Sequence, residues 1–280
     1  DMWRMSGIFR DVELVARATT RLRDLRVRTT FDADYRNAVL GLALELTGTA
    51  SVHAELRDAV GNVVIVTDLN GLGSLTTDLA IPKPHHWTAE TPYLYDLILT
   101  VTAGGQSEIH RVQVGFREVK VIDQALCING QPVKLRGVNR HDTHPDTGHA
   151  MTLADFERDI HLMKAHNMNC CRTSHYPPDH RWIELCDRLG MYVVDEADLE
   201  THGMTCQNGV WSVEDWRRLG QDPTWKDAYL ERAQRLVLRD RNHACVIIWS
   251  LGNETGYGPN HDAMAAWLRH ADGTRPIHYE

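Results

Sequence analysis

The chain has 280 residues, 42% of them hydrophobic and 24% charged, and a formal net charge of -8 at pH 7. That composition is enough for one large core or two moderate ones and excludes a disordered chain. Acidic residues are scattered and no Lys/Arg run occurs, which argues against a nucleic-acid or anionic-membrane partner; no apolar run approaches the ~20 residues of a membrane helix.

Six cysteines lack CxxC spacing and include the vicinal pair Cys170-Cys171, so they read as reduced thiols in a cytoplasmic protein. The chain opens at "DMWRMSGIFRDVELV" and stops at "RPIHYE" inside an apparent strand, and the expectation is a piece of something longer.

From about residue 20 to 116 apolar residues alternate with period two: Leu25, Val27, Thr29 and Phe31, then Leu40, Leu42, Leu44 and Leu46, then Val52, Ala54 and Leu56. Half-buried strands have this period. Turn signals such as "DAVGN" and "TAGGQ" separate the further runs "VVIVT", "LYDLILTV" and "HRVQVGF". About seven strands in about 100 residues predict an immunoglobulin-like β-sandwich. A hairpin, "ALCINGQPVKL", follows, turning at Asn129-Gly130.

The rhythm then changes to strand and helix in alternation. "KLRGVN" precedes a helix in which Thr152 and Asp155 form a capping-box pattern and Phe156, Ile160 and Met163 recur at helical spacing. "NCCRTS", a helix near 179–189 and "MYVVDEA" come next. Asp222-Pro223 opens another helix, with Trp225, Tyr229, Ala233 and Leu236 or Val237 on one face. "CVIIWSL", a helix near 261–271 and "PIHYE" complete five apolar strands separated by helices, the pattern of a parallel α/β unit.

In a (β/α) barrel the C-terminal ends of the strands face the site. Here those ends carry Asn139-Arg140-His141, Arg172-Thr173-Ser174-His175, Asp195-Glu196 and Asn253-Glu254. Four consecutive strands ending in His, Arg, Asn and carboxylates predict a catalytic unit acting on a small neutral ligand.

"NCCRTSHYPPDHRWIELCDRLGMYVV" and "DRNHACVIIWSLGNE" resemble the two signature motifs of glycoside hydrolase family 2. "GVNRHDTHP", "DEADLETHGM" and "DMWRMSGIFRDV" are similar, more narrowly, to the large bacterial β-galactosidases of that family. The resemblance spans the whole chain. It implies the end of a jelly-roll sugar-binding domain at 1–17, the immunoglobulin-like sandwich at 18–116, and the first half of a TIM (β/α)₈ barrel, about five strands, at 117–280.

By the same resemblance the protein is a retaining hydrolase of terminal β-galactosides such as lactose, with a homo-oligomeric parent. Retaining cleavage needs one carboxyl to protonate the leaving oxygen and a second to attack the anomeric carbon. Glu254 matches the acid/base, and Asn253 the residue that bonds the sugar 2-hydroxyl. The nucleophile of the family follows the seventh strand, outside this chain. Glu200 and His202, two apart in "ETHGM", point to one side if the segment is extended, and with Glu254 could hold a metal. Carboxylates suit Mg²⁺ or Mn²⁺ and imidazole leans to transition metals, so chemistry alone leaves the ion open; the resemblance implies Mg²⁺. His141 and His175 match galactose-contacting positions. Asp1 matches a carboxylate that touches the 6-hydroxyl and a bound Na⁺. Arg172 is expected to brace the carboxylates and Trp249 to be core.

"TCQNGVWSVEDWRRLGQ", after "ETHGM", is longer than the bacterial pattern and reads as a loop bordering the site, where aglycone preference is set. Two rival readings stand beside this one: a β-glucuronidase-like member of the same family, which "ETHGM" disfavours, and a sugar-binding or assembly module without turnover, which the Asn253-Glu254 pair disfavours.

Overall fold

The computed structural model describes residues 5, 7–207 and 209–280. The expected role of Asp1 therefore lies outside the described residues, and residues 7–20 carry no helix or strand. Seven antiparallel strands follow: β1 (Leu22–Phe31), β2 (Asn37–Leu46), β3 (Ala50–Arg57), β4 (Val63–Gly71), β5 (Ser74–Pro82), β6 (Tyr95–Ala103) and β7 (Gln106–Val114). They form two sheets, ordered β1-β2-β5 and β4-β3-β6-β7. Because side chains alternate across a strand, Leu40, Leu42 and Leu44 of β2 meet Val52, Ala54 and Leu56 of β3 and Leu97 and Leu99 of β6 in one core between the sheets. The strand that no expected run named is β5, whose outward Ser74, Thr76 and Asp78 dilute the apolar signal of Leu75, Leu79 and Ile81.

Three short strands, β8 (Val119–Ile122), β9 (Ala125–Ile128) and β10 (Gln131–Pro132), make an antiparallel flap. Asn129 (φ 51°) and Gly130 (φ 73°) turn β9 into β10, both with the positive φ that a type I′ turn requires.

The remaining residues build a parallel sheet, ordered β11 (Gly137–Arg140), β12 (Cys170–Thr173), β13 (Tyr192–Glu196), β16 (Val246–Ser250), β17 (Ile277–His278). Helix α1 (Leu153–Ala165) joins β11 to β12 and α2 (His180–Leu189) joins β12 to β13. The small hairpin β14 (Cys206–Gln207) and β15 (Val210–Trp211), with α3 (Val213–Gln221) and α4 (Lys226–Asp240), fills the span to β16, and α5 (Pro259–Ala271) precedes β17. Thr152 and Asp155 close a reciprocal capping box on α1, whose Phe156, Ile160 and Met163 are buried.

Two expectations change. Asp222 does cap a turn, but Pro223–Trp225 is 3₁₀, so Trp225 falls out of register with Tyr229, Ala233 and Val237 and stands 44% exposed. The stretch expected as a loop after "ETHGM" is instead the β14–β15 hairpin and α3, which Ser212 caps by accepting from the Asp215 N–H at 3.1 Å.

Candidate active site

Because all five strands of the sheet run parallel, their C-terminal ends lie on one rim. The buried side chain of Arg172, at the end of β12, occupies the centre. Its Nε donates to Glu196 Oε2 (2.6 Å), and its two terminal nitrogens donate to Asn253 Oδ1 (2.9 Å) and Glu280 Oε2 (2.7 Å). The expectation that Arg172 braces the rim is met. Glu196 is fully buried and also accepts from Ser250 Oγ at 2.7 Å, while His175 Nδ1 lies 2.8 Å from its other oxygen. Burial pushes the Glu196 carboxyl up, but the bonds from His175, Arg172 and Ser250 outweigh it and hold the group below its usual range.

The end of β16 explains the order Gly-Asn-Glu. A Cβ on Gly252 (φ 131°) would stand 2.5 Å from the Leu199 carbonyl oxygen, so the strand can close onto the 199–200 segment only with glycine there. That closure pairs Asn253 with Glu200 as an isolated parallel bridge. Asn253 is buried, receives Arg172 on its oxygen and donates to Glu200 Oε1 at 2.8 Å. One amide N–H and one lone pair remain for a ligand.

Glu254 then leaves the sheet with φ at 41°, a left-handed conformation that a residue with a Cβ rarely adopts. Its N–H donates to the Glu280 carbonyl (3.0 Å), and its own carbonyl accepts the Trp216 indole N–H (2.8 Å). These two bonds hold the backbone while 56% of the side chain stays open to solvent.

Glu200, His202 and Glu254 converge, their ligand atoms all within 4.8 Å of one another. The cause differs from the one expected: the segment is not extended through His202, which instead begins a 3₁₀ turn (His202–Met204) that folds the imidazole back over Glu200. His202 Nδ1 lies 3.0 Å from Glu200 and 3.1 Å from Glu254, yet this buried nitrogen makes no hydrogen bond in good geometry. A ring nitrogen without a hydrogen bond between two carboxylates suits a cation, and two carboxylates with one imidazole are a donor set that Mg²⁺, Mn²⁺ or a transition ion accepts.

His141 and His175 stand edge to face with ring centroids 5.4 Å apart. Burial, and then the neighbouring His175, push the His141 pKa below 6.5, so its imidazole is neutral near pH 7. Trp249 is core, as expected, its indole N–H bonded to Asp272 at 2.8 Å. Several participants had no role assigned in the sequence reading: Glu196, Ser250 and Trp216, and His261, which bonds Thr255 Oγ1 at 2.7 Å behind Glu254. Glu196 alone had a signal, its place at a strand end. The others are ordinary residue types; Ser250 and Trp216 reach the site through residues distant in sequence, and His261 through Thr255, six positions away.

A β-sandwich leading into a parallel α/β sheet, with carboxylates and imidazoles gathered on its C-terminal rim, defines a class of barrel enzyme domain. Residues 20–117 match "Glycosyl hydrolases family 2" and residues 119–280 match "Glycosyl hydrolases family 2, TIM barrel domain". The chain belongs to glycosyl hydrolase family 2, and its fold is the family's sandwich followed by part of the TIM barrel. It is 45% identical over 300 residues to a β-galactosidase of Pectobacterium atrosepticum, and 46% over 296 residues to one of Aeromonas hydrophila. All of this chain is covered in both alignments, which span 28% of the length of each relative. Among solved structures, a β-glucuronidase of Parabacteroides merdae (TM-score 0.79, 22% identity, 93% of this chain and 34% of that one) shares the fold. Another of Dictyoglomus thermophilum has a TM-score of 0.77 at 25% identity over 93% of this chain and 44% of that one. No helix among the described residues is long and apolar enough to cross a membrane.

Proposed function

We propose that this chain is the acid-bearing part of a cytoplasmic, homo-oligomeric retaining β-galactosidase that removes terminal β-linked galactose, as from lactose. The observation that carries the reading is Glu254: a carboxyl open to solvent at a parallel strand end, on a backbone pinned by Glu280 and Trp216. In the first step Glu254 gives its proton to the glycosidic oxygen as the C–O bond breaks. The second carboxyl, about 5–5.5 Å away on the other side of the anomeric carbon, comes from polypeptide beyond these 280 residues. Asn253, locked by Arg172 and Glu200, offers its remaining N–H to the sugar 2-hydroxyl, a bond that strengthens as charge develops on the ring. His141 and His175 present imidazole edges to the galactose hydroxyls. The galactosidase names among the relatives favour galactose over the uronic acids of the structural neighbours.

Glu200, His202 and Glu254 would hold Mg²⁺, which when bound supplies positive charge beside the acid and offsets the repulsion between the two carboxylates. A Na⁺ through Asp1 belongs to the same proposal.

The test is Glu254→Gln in the active protein. Turnover of lactose is expected to fall by about 10²–10⁴-fold. The first chemical step on a nitrophenyl galactoside, whose leaving group needs little protonation, should fall much less. Equal losses remove Glu254 from the acid role. Chelation followed by Mg²⁺ addition, scored by activity and by melting temperature, should act on wild type and leave the melting temperature of Glu254→Gln less responsive; identical responses remove Glu254 from the ligand set.

A further inference from the structure

At the end of β16 opposite to Glu254, a cavity of about 40 Å³ lies between the sandwich and the α/β unit. Five arginines line it against a single carboxylate, Asp272: Arg26 and Arg28 from β1, Arg117 after β7, Arg241 after α4 and Arg275 before β17. Two of the guanidiniums converge on the same main-chain oxygens. Arg117 Nη2 donates to Val246 O (2.8 Å) and reaches His243 O (3.5 Å), while Arg275 donates to Val246 O through Nε (2.7 Å) and to His243 O through Nη2 (3.0 Å).

The carboxylates nearby are already engaged. Asp272 binds Arg275, Asp24 binds Arg241, and Asp187 lies 2.6 Å from the imidazole of His243. Among the described residues Arg117 and Arg26 pair with no carboxylate. Arg117 is only 6% exposed, and its Nη1 donates to no protein atom. Burial, and then Arg275, push its guanidinium down to about 9, so it is still charged near pH 7. The side chain of Arg241 is nine-tenths buried, and its Nε makes no hydrogen bond to the protein. Water can satisfy a lone N–H group, but it leaves a buried cation without a counter-charge, and that is costly.

We propose that this cavity binds a small monovalent anion of about the size of chloride, held by the guanidiniums of Arg117 and Arg241, with Arg26 adding charge from β1. A water molecule needs about 10–15 Å³ of such space, so the cavity admits an ion of that size and is too small for a sugar or a nucleotide. The ion completes the joint through which the sandwich holds the entry of β16. This inference stands apart from the reading of Glu254.

The experiment follows the melting temperature of the active protein while gluconate is replaced by chloride or bromide, with Na⁺ and ionic strength held constant. An anion bound only by the folded state is expected to raise it by about 2 °C in wild type and not at all in Arg117→Met. Arg26→Gln, which removes a side chain that makes no hydrogen bond, should need about fivefold more chloride for the same half-effect. If Arg117→Met does not fold, Arg26→Gln carries the comparison. Wild-type crystals soaked in bromide should show an anomalous peak within hydrogen-bond reach of Arg117 Nη1. Equal melting temperatures in chloride and gluconate, a chloride response that both variants keep in full, or a soaked crystal with no peak in the cavity overturns the proposal.

Discussion

Arg172 and Glu196 are an ion pair that four strands share. Glu196 is wholly buried, and Arg172 divides its hydrogen bonds among Glu196, Asn253 and Glu280, so the orientation of Asn253 depends on this pair. Removing one partner of a buried pair leaves the other charge uncompensated, at a cost of about 3–5 kcal/mol. Glu196→Gln should therefore destabilise by roughly 3 kcal/mol at pH 7. The folded-state pKa of Glu196 lies below its ordinary 4.5, so the stability it contributes is fully present above pH 4.5 and is lost as pH falls through the depressed value. Urea unfolding should show the gap between wild type and Glu196→Gln shrinking as pH drops below 4.5. A gap independent of pH would mean that shape, not charge, is what the substitution removes. Residues of this kind are only half legible in sequence. Asp195-Glu196 stands out at a strand end, but that Glu196 rather than Asp195 meets Arg172 depends on which way each side chain of β13 points. Ser250 and Trp216 offer no local signal, since the bonds that tie them to Glu196 and to the Glu254 carbonyl each join residues more than thirty positions apart.

At the scale of elements, strong local codes were readable and weak ones were not. The α1 cap, the Asn129-Gly130 turn and the period-two runs of β2, β3 and β6 are decided by neighbours in sequence, and the fold follows them. The residues from Cys206 to Gln221 carry one such code, the Ser212–Asp215 cap, which marks where a helix starts without making it stable. Helix α3 is nine residues long with only Gly220 fully buried, so packing, not intrinsic helicity, fixes it. That gives Gly220 a double role. Ala is the better helix former by roughly 1 kcal/mol, yet its Cβ would meet the Gly256 carbonyl. Gly220→Ala is expected to lower the melting temperature and, by lifting Trp216 from the Glu254 carbonyl, to reduce kcat for galactoside cleavage more than it changes KM. A more stable protein with unaltered kcat would show that α3 and the Glu254 loop move independently.

Over the whole molecule the sandwich grips the back of the sheet whose front holds the site. Arg117, following β7, donates to the carbonyls of Ala244 and Val246 at 2.8 Å each, at the start of β16. Asn242 bonds both Val27 N and Leu25 O, Arg241 pairs with Asp24 at 2.5 Å, and the Trp87 indole reaches the Asp187 carbonyl at 2.9 Å. Trp87 and Ala89, from the loop after β5, lie in the core of the α/β unit itself. Strand β16 is thus fixed at its entry by the sandwich, and Glu254 emerges from its exit. The sheet is less secure at its flanks. Among the described residues β11 pairs only with β12 and β17 only with β16, whereas a closed barrel leaves no strand edge unpaired. Gly137, Val138 and Asn139 of β11 are exposed, although they hold the place of a barrel's interior strand. Hydrogen exchange on the 280-residue chain alone should therefore find β13 and β16 slow, the sandwich strands β2, β3 and β6 slow, and β11 and β17 fast. On the proposed mechanism the same sample should not cleave lactose, because the nucleophile opposing Glu254 is expected from the later strands of a family 2 barrel. Adding the polypeptide that carries the later strands of a family 2 barrel should slow exchange in β11 and β17 together, and activity should appear with the same concentration dependence. Lactose cleavage by the chain alone, or edge strands as protected as β16, would place the nucleophile and the barrel closure within these 280 residues.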